Sequence, residues 1–80
     1  MKLEIITPEK KLFEGSVKLV QVPGAKGSFE ILKNHAAVIS TLNQGKIKVI
    51  AENEKTQFFD IVSGIVEVKA NQITILAVTA

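Results

Sequence analysis

The sequence predicts an all-β fold with no helix of consequence, an antiparallel sandwich or small barrel, and three observations predict it. Val and Ile together supply 19 of the 80 residues, against 6 Leu. That balance suits a pleated, half-buried surface, because β-branched side chains are stiff at χ1 and pack well across a sheet. Turn-forming clusters recur about every eight to twelve residues between short apolar segments. No segment carries apolar residues at the 3.6 period for the roughly ten residues that an amphipathic helix needs.

Taken in order, Met1, Leu3 and Ile5 alternate with Lys2 and Glu4 until Pro8-Glu9-Lys10 breaks the run, as a strand followed by a turn would. A second apolar stretch, Val17 to Val22, changes phase between Val17 and Val20, which predicts a bulge before Pro23-Gly24 ends it. Gly24 and Gly27 bracket Ala25-Lys26 in a short exposed loop where glycine permits positive φ, and Phe29 to Leu32 resumes an extended segment. Lys33 to Ala37 connects it to a strand at Val38 to Leu42, and Asn43-Gln44-Gly45 forms the next turn. Ile47, Val49 and Ala51 alternate with Lys46 and Lys48, one face buried and one wet, ahead of a turn at Glu52-Asn53-Glu54-Lys55. Thr56 to Ser63 reads as a strand with Phe58 and Phe59 on opposite faces, so one of them lies over a second layer or an interface. Gly64 marks a bulge or bend. Ile65 to Lys69 and Ile73 to Val78 then form a hairpin through Ala70-Asn71-Gln72, with Asn where a left-handed residue is needed.

Composition narrows the function. A chain of 80 residues holds one domain, residues 1–80, without linker or repeat, and buries only about 60 to 65% of its unfolded surface. No apolar run approaches the roughly 18 residues of a membrane span, and the first residues lack the pattern of a cleaved signal. The absence of cysteine excludes disulfides, thiolate metal sites and cysteine nucleophiles. The net charge is +2 and all ten basic residues are lysine, so the bidentate grip of arginine on phosphate or guanine is missing. With no Trp or Tyr and four Phe, there is no base-stacking platform, and nucleic acid is not an expected partner. His35 is the only histidine; it has no acidic cluster to complete a metal site and no adjacent nucleophile to activate. A structural loop histidine is the plainer reading. Gly24 to Gly27 precedes no helix and ends in no Gly-Lys-Ser/Thr, so it is no phosphate cradle. Lys10-Lys11 and Lys46 with Lys48 read as solvated faces or protection of sheet edges. No catalytic residue, cofactor or metal is expected.

The residues themselves carry a resemblance. Leu3-Glu4-Ile5-Ile6-Thr7-Pro8-Glu9-Lys10 followed by Leu12-Phe13-Glu14-Gly15 resembles the opening of F-type ATP synthase epsilon subunits. The stretch Val20-x-Val22-Pro23-Gly24-x-x-Gly27-x-Phe29-x-Ile31-Leu32-x-Asn34-His35-Ala36 is similar to that family's most recognisable segment. Ile39-Ser40, Gly45-x-Ile47, Ser63 to Val68 and Asn71 to Ala77 extend the likeness across the chain. The resemblance implies a flattened sandwich of about ten strands at the foot of the central stalk, non-catalytic, on the cytoplasmic face of the bacterial inner membrane without inserting into it. It implies two partners. Positions matching Thr7, His35 and Ser40 would face the gamma subunit, and the loop Ala25-Lys26-Gly27-Ser28 would meet the polar loops of the c-ring. The two contacts together would clamp gamma to the ring so that torque reaches the catalytic hexamer.

Area makes this reasonable: a globule of 8.7 kDa exposes roughly 4,700 Å², and two standard contacts of about 800 Å² each would cover about a third of it. Exposed apolar side chains are therefore expected on the gamma-facing sheet. Lys33 and Ala37 stand where many relatives carry proline around the His-Ala pair, and Lys26 and Ser28 where relatives often place acidic residues. The C-terminal helix pair of most relatives, which can bind ATP or inhibit hydrolysis, has no counterpart before Ala80, and neither property is expected. The main alternative from another class is a biotinyl or lipoyl carrier with Lys69 as the modified residue, although Val68-Lys69-Ala70 lacks the usual context. An oligonucleotide-binding barrel is the third.

Overall fold

The computed structural model describes residues 1–80 as eight strands and no helix. They are β1 (Lys2–Ile6), β2 (Lys11–Val22), β3 (Phe29–Ile31), β4 (Val38–Leu42), β5 (Gly45–Ala51), β6 (Thr56–Ile61), β7 (Ser63–Lys69) and β8 (Gln72–Val78). One continuous sheet runs β4-β7-β8-β1-β2-β5-β6, with β3 added to β2. It folds over on itself at β2. The first half of that strand, through Ser16, pairs with β1, whereas Val17 onward pairs with β5 and then β3.

The all-β expectation holds, but two details of it change. Eight strands replace about ten, and the long β2 serves both layers. Its first six residues were not expected to be strand, since Glu14-Gly15-Ser16 carries little β-forming character. The sheet is also not wholly antiparallel: β1 and β8 run parallel, with Leu3 opposite Ile73 and Ile5 opposite Ile75. Local turns determine the direction only of neighbours in the chain. The pairing of first and last strands is decided by matching two apolar faces, which local signals do not contain.

The core is one cluster of 15 buried hydrophobic residues. Leu3, Ile5, Val66, Val68, Ile73 and Ile75 enter it from one layer, and Val17, Val20, Ile31, Ile47, Val49 and Ile61 from the other. At about 25 cal/mol per Å² of apolar surface removed from water, this contact between layers is the main stabilising term. The side chain of Phe59 packs against it and meets Phe13 edge to face, with centroids 6.1 Å apart. Phe58, its neighbour on β6, points the other way and is 58% exposed, as the alternation predicted.

Connections follow the turn chemistry. The expected bulge appears as a register shift between Val17 and Leu19, and the bulged Lys18 pairs with Glu54. The β7–β8 hairpin closes with Ala70 at φ 52° and Asn71 at φ 62°, the two left-handed residues of a type I′ turn. The expected strand Thr56 to Ser63 is interrupted at Val62, where the chain crosses from one layer to the other. Gly64, expected at a bulge or bend, lies within β7 opposite Leu42 and Ala77; a Cβ there would approach the Leu76 carbonyl oxygen to 2.8 Å. Lys11 is held by Glu4 at 2.8 Å and Glu14 at 3.1 Å, bonds that raise its pKa above the ordinary lysine value. Lys46 pairs with Asp60 at 2.7 Å.

Candidate functional site

The outer face of the β4-β7-β8-β1 layer departs from the rule that the solvent side of a half-buried sheet is polar. The register aligns Thr41, Ile65, Leu76 and Ile6 across four neighbouring strands. Ile65 is 45% exposed, Leu76 54% and, one row over, Ile39 72%. Val78 and Val62, both exposed, continue the apolar surface beyond the row. The next row carries Ile39, Glu67, Thr74, Glu4 and Glu14, and the one after it Lys69, Gln72 and Lys2. Charge thus begins beside the strip on β7, β8 and β1, while Ile39 continues the apolar surface on β4.

Each end of this strip meets residues singled out in the sequence. At the β1 end, Thr7 lines a shallow depression of about 320 Å³ with Ile6, Leu76 and Val78. Thr7 is itself buried. Its hydroxyl accepts from the Lys10 N–H at 3.1 Å and donates to the Lys10 carbonyl at 2.9 Å, while its own N–H donates to that carbonyl at 2.8 Å. Thr7 closes the β1–β2 turn and presents mainly its position, not a free polar group.

At the β4 end lies an open hollow of about 760 Å³, lined on one side by Ala25, Lys26, Gly27 and Ser28 and on the other by His35, Ser40, Ile39 and Thr41. The two groups of residues expected to meet different partners therefore share one concave surface. Hydrogen bonds bring them together: Gly24 bridges to Leu42, and the Ala25 N–H donates to the Thr41 carbonyl at 3.0 Å. Gly24 also lets the loop turn back tightly on itself, because a Cβ there would stand 2.7 Å from the Gly27 carbonyl oxygen and 2.9 Å from the Phe29 ring. Gly27 adopts φ 124°, a conformation suited to glycine alone.

His35 is half-buried, its ring tilted over Phe29 with centroids 6.3 Å apart. Its Nδ1 lies 2.7 Å from the Ala36 carbonyl oxygen, an acceptor only, so Nδ1 is the donor of that bond. The Ser40 hydroxyl donates to the Thr41 carbonyl at 3.0 Å. Lys33 and Ala37 are both exposed on the same loop. Lys69, the alternative modified lysine, is the last residue of β7 opposite Gln72 and not at the tip of its hairpin. Nothing here places a base against a nucleophile; the chemistry available is that of a docking surface.

Sequence reasoning missed Ile6, Ile65, Leu76 and Val78. The signal was present, since Ile73-Thr74-Ile75-Leu76-Ala77-Val78 stops alternating after Ile75, as a strand covered on both faces does. It also missed the pairing of Asn34 with Asn71, which lie 37 positions apart.

Comparison with known proteins agrees with the all-β fold. Residues 1–80 match the family described as ATP synthase, Delta/Epsilon chain, beta-sandwich domain. The ATP synthase epsilon chain of Protochlamydia amoebophila is 44% identical over 75 residues, which cover 94% of this chain and 51% of that one. The epsilon chain of Caulobacter vibrioides is 42% identical over 77 residues, covering 96% and 88%. This chain thus spans about half the length of the first relative and most of the second. A chain in the mitochondrial ATP synthase of Euglena gracilis, an OSCP/F1/c-ring structure, superimposes with a TM-score of 0.89 at 19% identity, over 95% of this chain and 49% of its own. One in the central stalk/c-ring structure of the Tetrahymena thermophila enzyme gives 0.79 at 23%, over 98% and 63%. The structural likeness speaks for the fold; the sequence match over all 80 residues places the chain in the family of ATP synthase delta/epsilon beta-sandwich domains.

Proposed function

We propose that the chain is a non-catalytic central-stalk subunit of an F-type proton-translocating ATP synthase. It would couple rotation of the membrane c-ring to gamma and so to ATP synthesis, as one peripheral domain on the cytoplasmic face of a bacterial inner membrane. The observation that carries this reading is the apolar strip of exposed Ile65 and Leu76 with half-buried Ile6, with Thr7 at one end and the His35–Ser40 hollow at the other. Gamma would cover the strip together with Thr7, His35 and Ser40. The polar loops of the c-ring would meet Ala25, Lys26, Gly27 and Ser28.

The physical task is to transmit torque without slipping, which calls for a stiff body with two contacts. Stiffness comes from β2, which belongs to both layers, and from a core packed between them. The accessible surface is 4883 Å², so two contacts of about 800 Å² each would cover about a third. No bond is made or broken.

The test is calorimetric titration of the full chain with purified gamma from the same source at physiological salt, with His35→Glu alongside. Saturable one-to-one binding, weakened by a carboxylate at position 35, is expected. Absence of binding at micromolar concentration would overturn the assignment of this face.

A further inference from the structure

We propose that Asn71, at the tip of the β7–β8 hairpin, is a positioning residue for partner binding: it fixes the β3–β4 loop and so sets where His35 stands at the rim of the hollow. The proposal rests on the reading of that rim as part of the gamma-facing surface.

Its basis is a reciprocal pair of amides. The Asn34 N–H donates to Asn71 Oδ1 at 2.7 Å, and Asn71 Nδ2 donates to Asn34 Oδ1 at 3.2 Å. Both residues are left-handed, Asn34 at φ 67° and Asn71 at φ 62°. Asn71 is itself held, since its carbonyl accepts from the Lys2 N–H at 3.0 Å. The other hydrogen bonds of the segment 32–37 stay within it: the His35 N–H donates to the Leu32 carbonyl at 3.0 Å, and His35 Nδ1 to that of Ala36. Leu32, Lys33, Asn34, Ala36 and Ala37 are exposed, so the half-buried His35 ring over Phe29 is the main packing contact of the segment. Between its ends in β3 and β4, the Asn71 carboxamide is thus its one hydrogen-bonded tie to the rest of the protein. A loop held in its binding conformation for only part of the time binds more weakly by that fraction. The carboxamide is suited to prevent this because it donates and accepts at once.

Asn71→Gly separates the role from folding, because glycine keeps the left-handed turn without strain and removes only the carboxamide. The full chain, Asn71→Gly and Asn71→Asp are titrated with purified gamma subunit, and the thermal midpoint of each is recorded. Loss of the reciprocal pair, taken as about one net hydrogen bond, predicts binding about three- to tenfold weaker for Asn71→Gly, with the midpoint lowered by no more than about 4–8 °C so that the chain stays folded during the titration. Asn71→Asp keeps an acceptor for the Asn34 N–H and should recover most of the affinity. Faster amide exchange in residues 32–37 of Asn71→Gly should accompany the loss. Unchanged affinity in Asn71→Gly, or no recovery in Asn71→Asp, overturns the positioning role alone. Failure of the unaltered chain to bind gamma overturns the parent reading, and this inference with it.

Discussion

Leu76 tests the apolar strip most directly. It sits between Ile65 on β7 and Ile6 on β1, points away from the core and is 54% exposed. Fully burying a leucine contributes about 1.5–3 kcal/mol, so roughly half of that, about 0.8–1.6 kcal/mol, is left for a partner to realise. Leu76→Ala should therefore weaken gamma binding about four- to fourteenfold, at 1.4 kcal/mol per decade. The remaining half is already spent within the folded chain, so a loss of stability of similar size should accompany it. Calorimetry at several temperatures gives a second readout, because less apolar burial makes the heat-capacity change of binding less negative. Phe58, 58% exposed on the edge strand β6 of the opposite layer, is the matched control. If Leu76→Ala bound gamma as tightly as the unaltered chain, or if Phe58→Ala weakened binding equally, the strip would not be the gamma-facing surface.

Two further predictions concern the frame that holds the site. Ala70 sits at φ 52°, a conformation that costs a residue with a Cβ roughly 1–2 kcal/mol and that Asn tolerates better. Ala70→Asn should therefore stabilise the fold by about 1 kcal/mol, raising the melting midpoint about 4–8 °C; an unchanged or lower midpoint would contradict the turn assignment. Gly24→Ala forces a Cβ to within 2.7 Å of the Gly27 carbonyl oxygen and 2.9 Å of Phe29, and should cost about 1–3 kcal/mol in urea unfolding while displacing Ala25 to Ser28. A midpoint equal to that of the unaltered chain would show that the loop does not lie against β3 as described.

What the sequence discloses of the fold follows the range of the interactions. Hairpins and bulges are local, so Val17 to Val20 and Ala70-Asn71 could be read from phase changes and turn residues alone. Alternation placed Ile47 and Val49 inside and put Phe58 and Phe59 on opposite faces. The first half of β2 was not legible, because Glu14-Gly15-Ser16 becomes strand through its neighbour β1 and not through its own propensity. The parallel pairing of β1 with β8 was hidden for the same reason: the partners are some seventy positions apart, and nothing local records which edge the last strand will find. At the site, the glycine loop and the His35 loop carried strong local signals, and the fold brings them together at one hollow. That a run of apolar residues at the end of β8 breaks alternation was equally visible, but it becomes a surface only when Ile65 and Ile6 are placed beside it.

The hollow shows most clearly why a list of site residues is not yet a site. Ala25 to Ser28 were assigned to one partner and His35 and Ser40, with Thr7, to another, yet the bond from the Ala25 N–H to the Thr41 carbonyl closes the loop and the His35–Ser40 side into one concave wall. A partner seated against either wall bears on the other. If the ring and gamma contacts both fall here, a substitution at Lys26 or Ser28 acts on the seam between them and changes both, whereas Leu76 and Thr7, at the far end of the strip, report on gamma alone. Such a shared seam is also mechanically apt for a coupling part, since a load entering at one contact reaches the other across a few side chains and one hydrogen-bonded loop instead of through the whole sandwich.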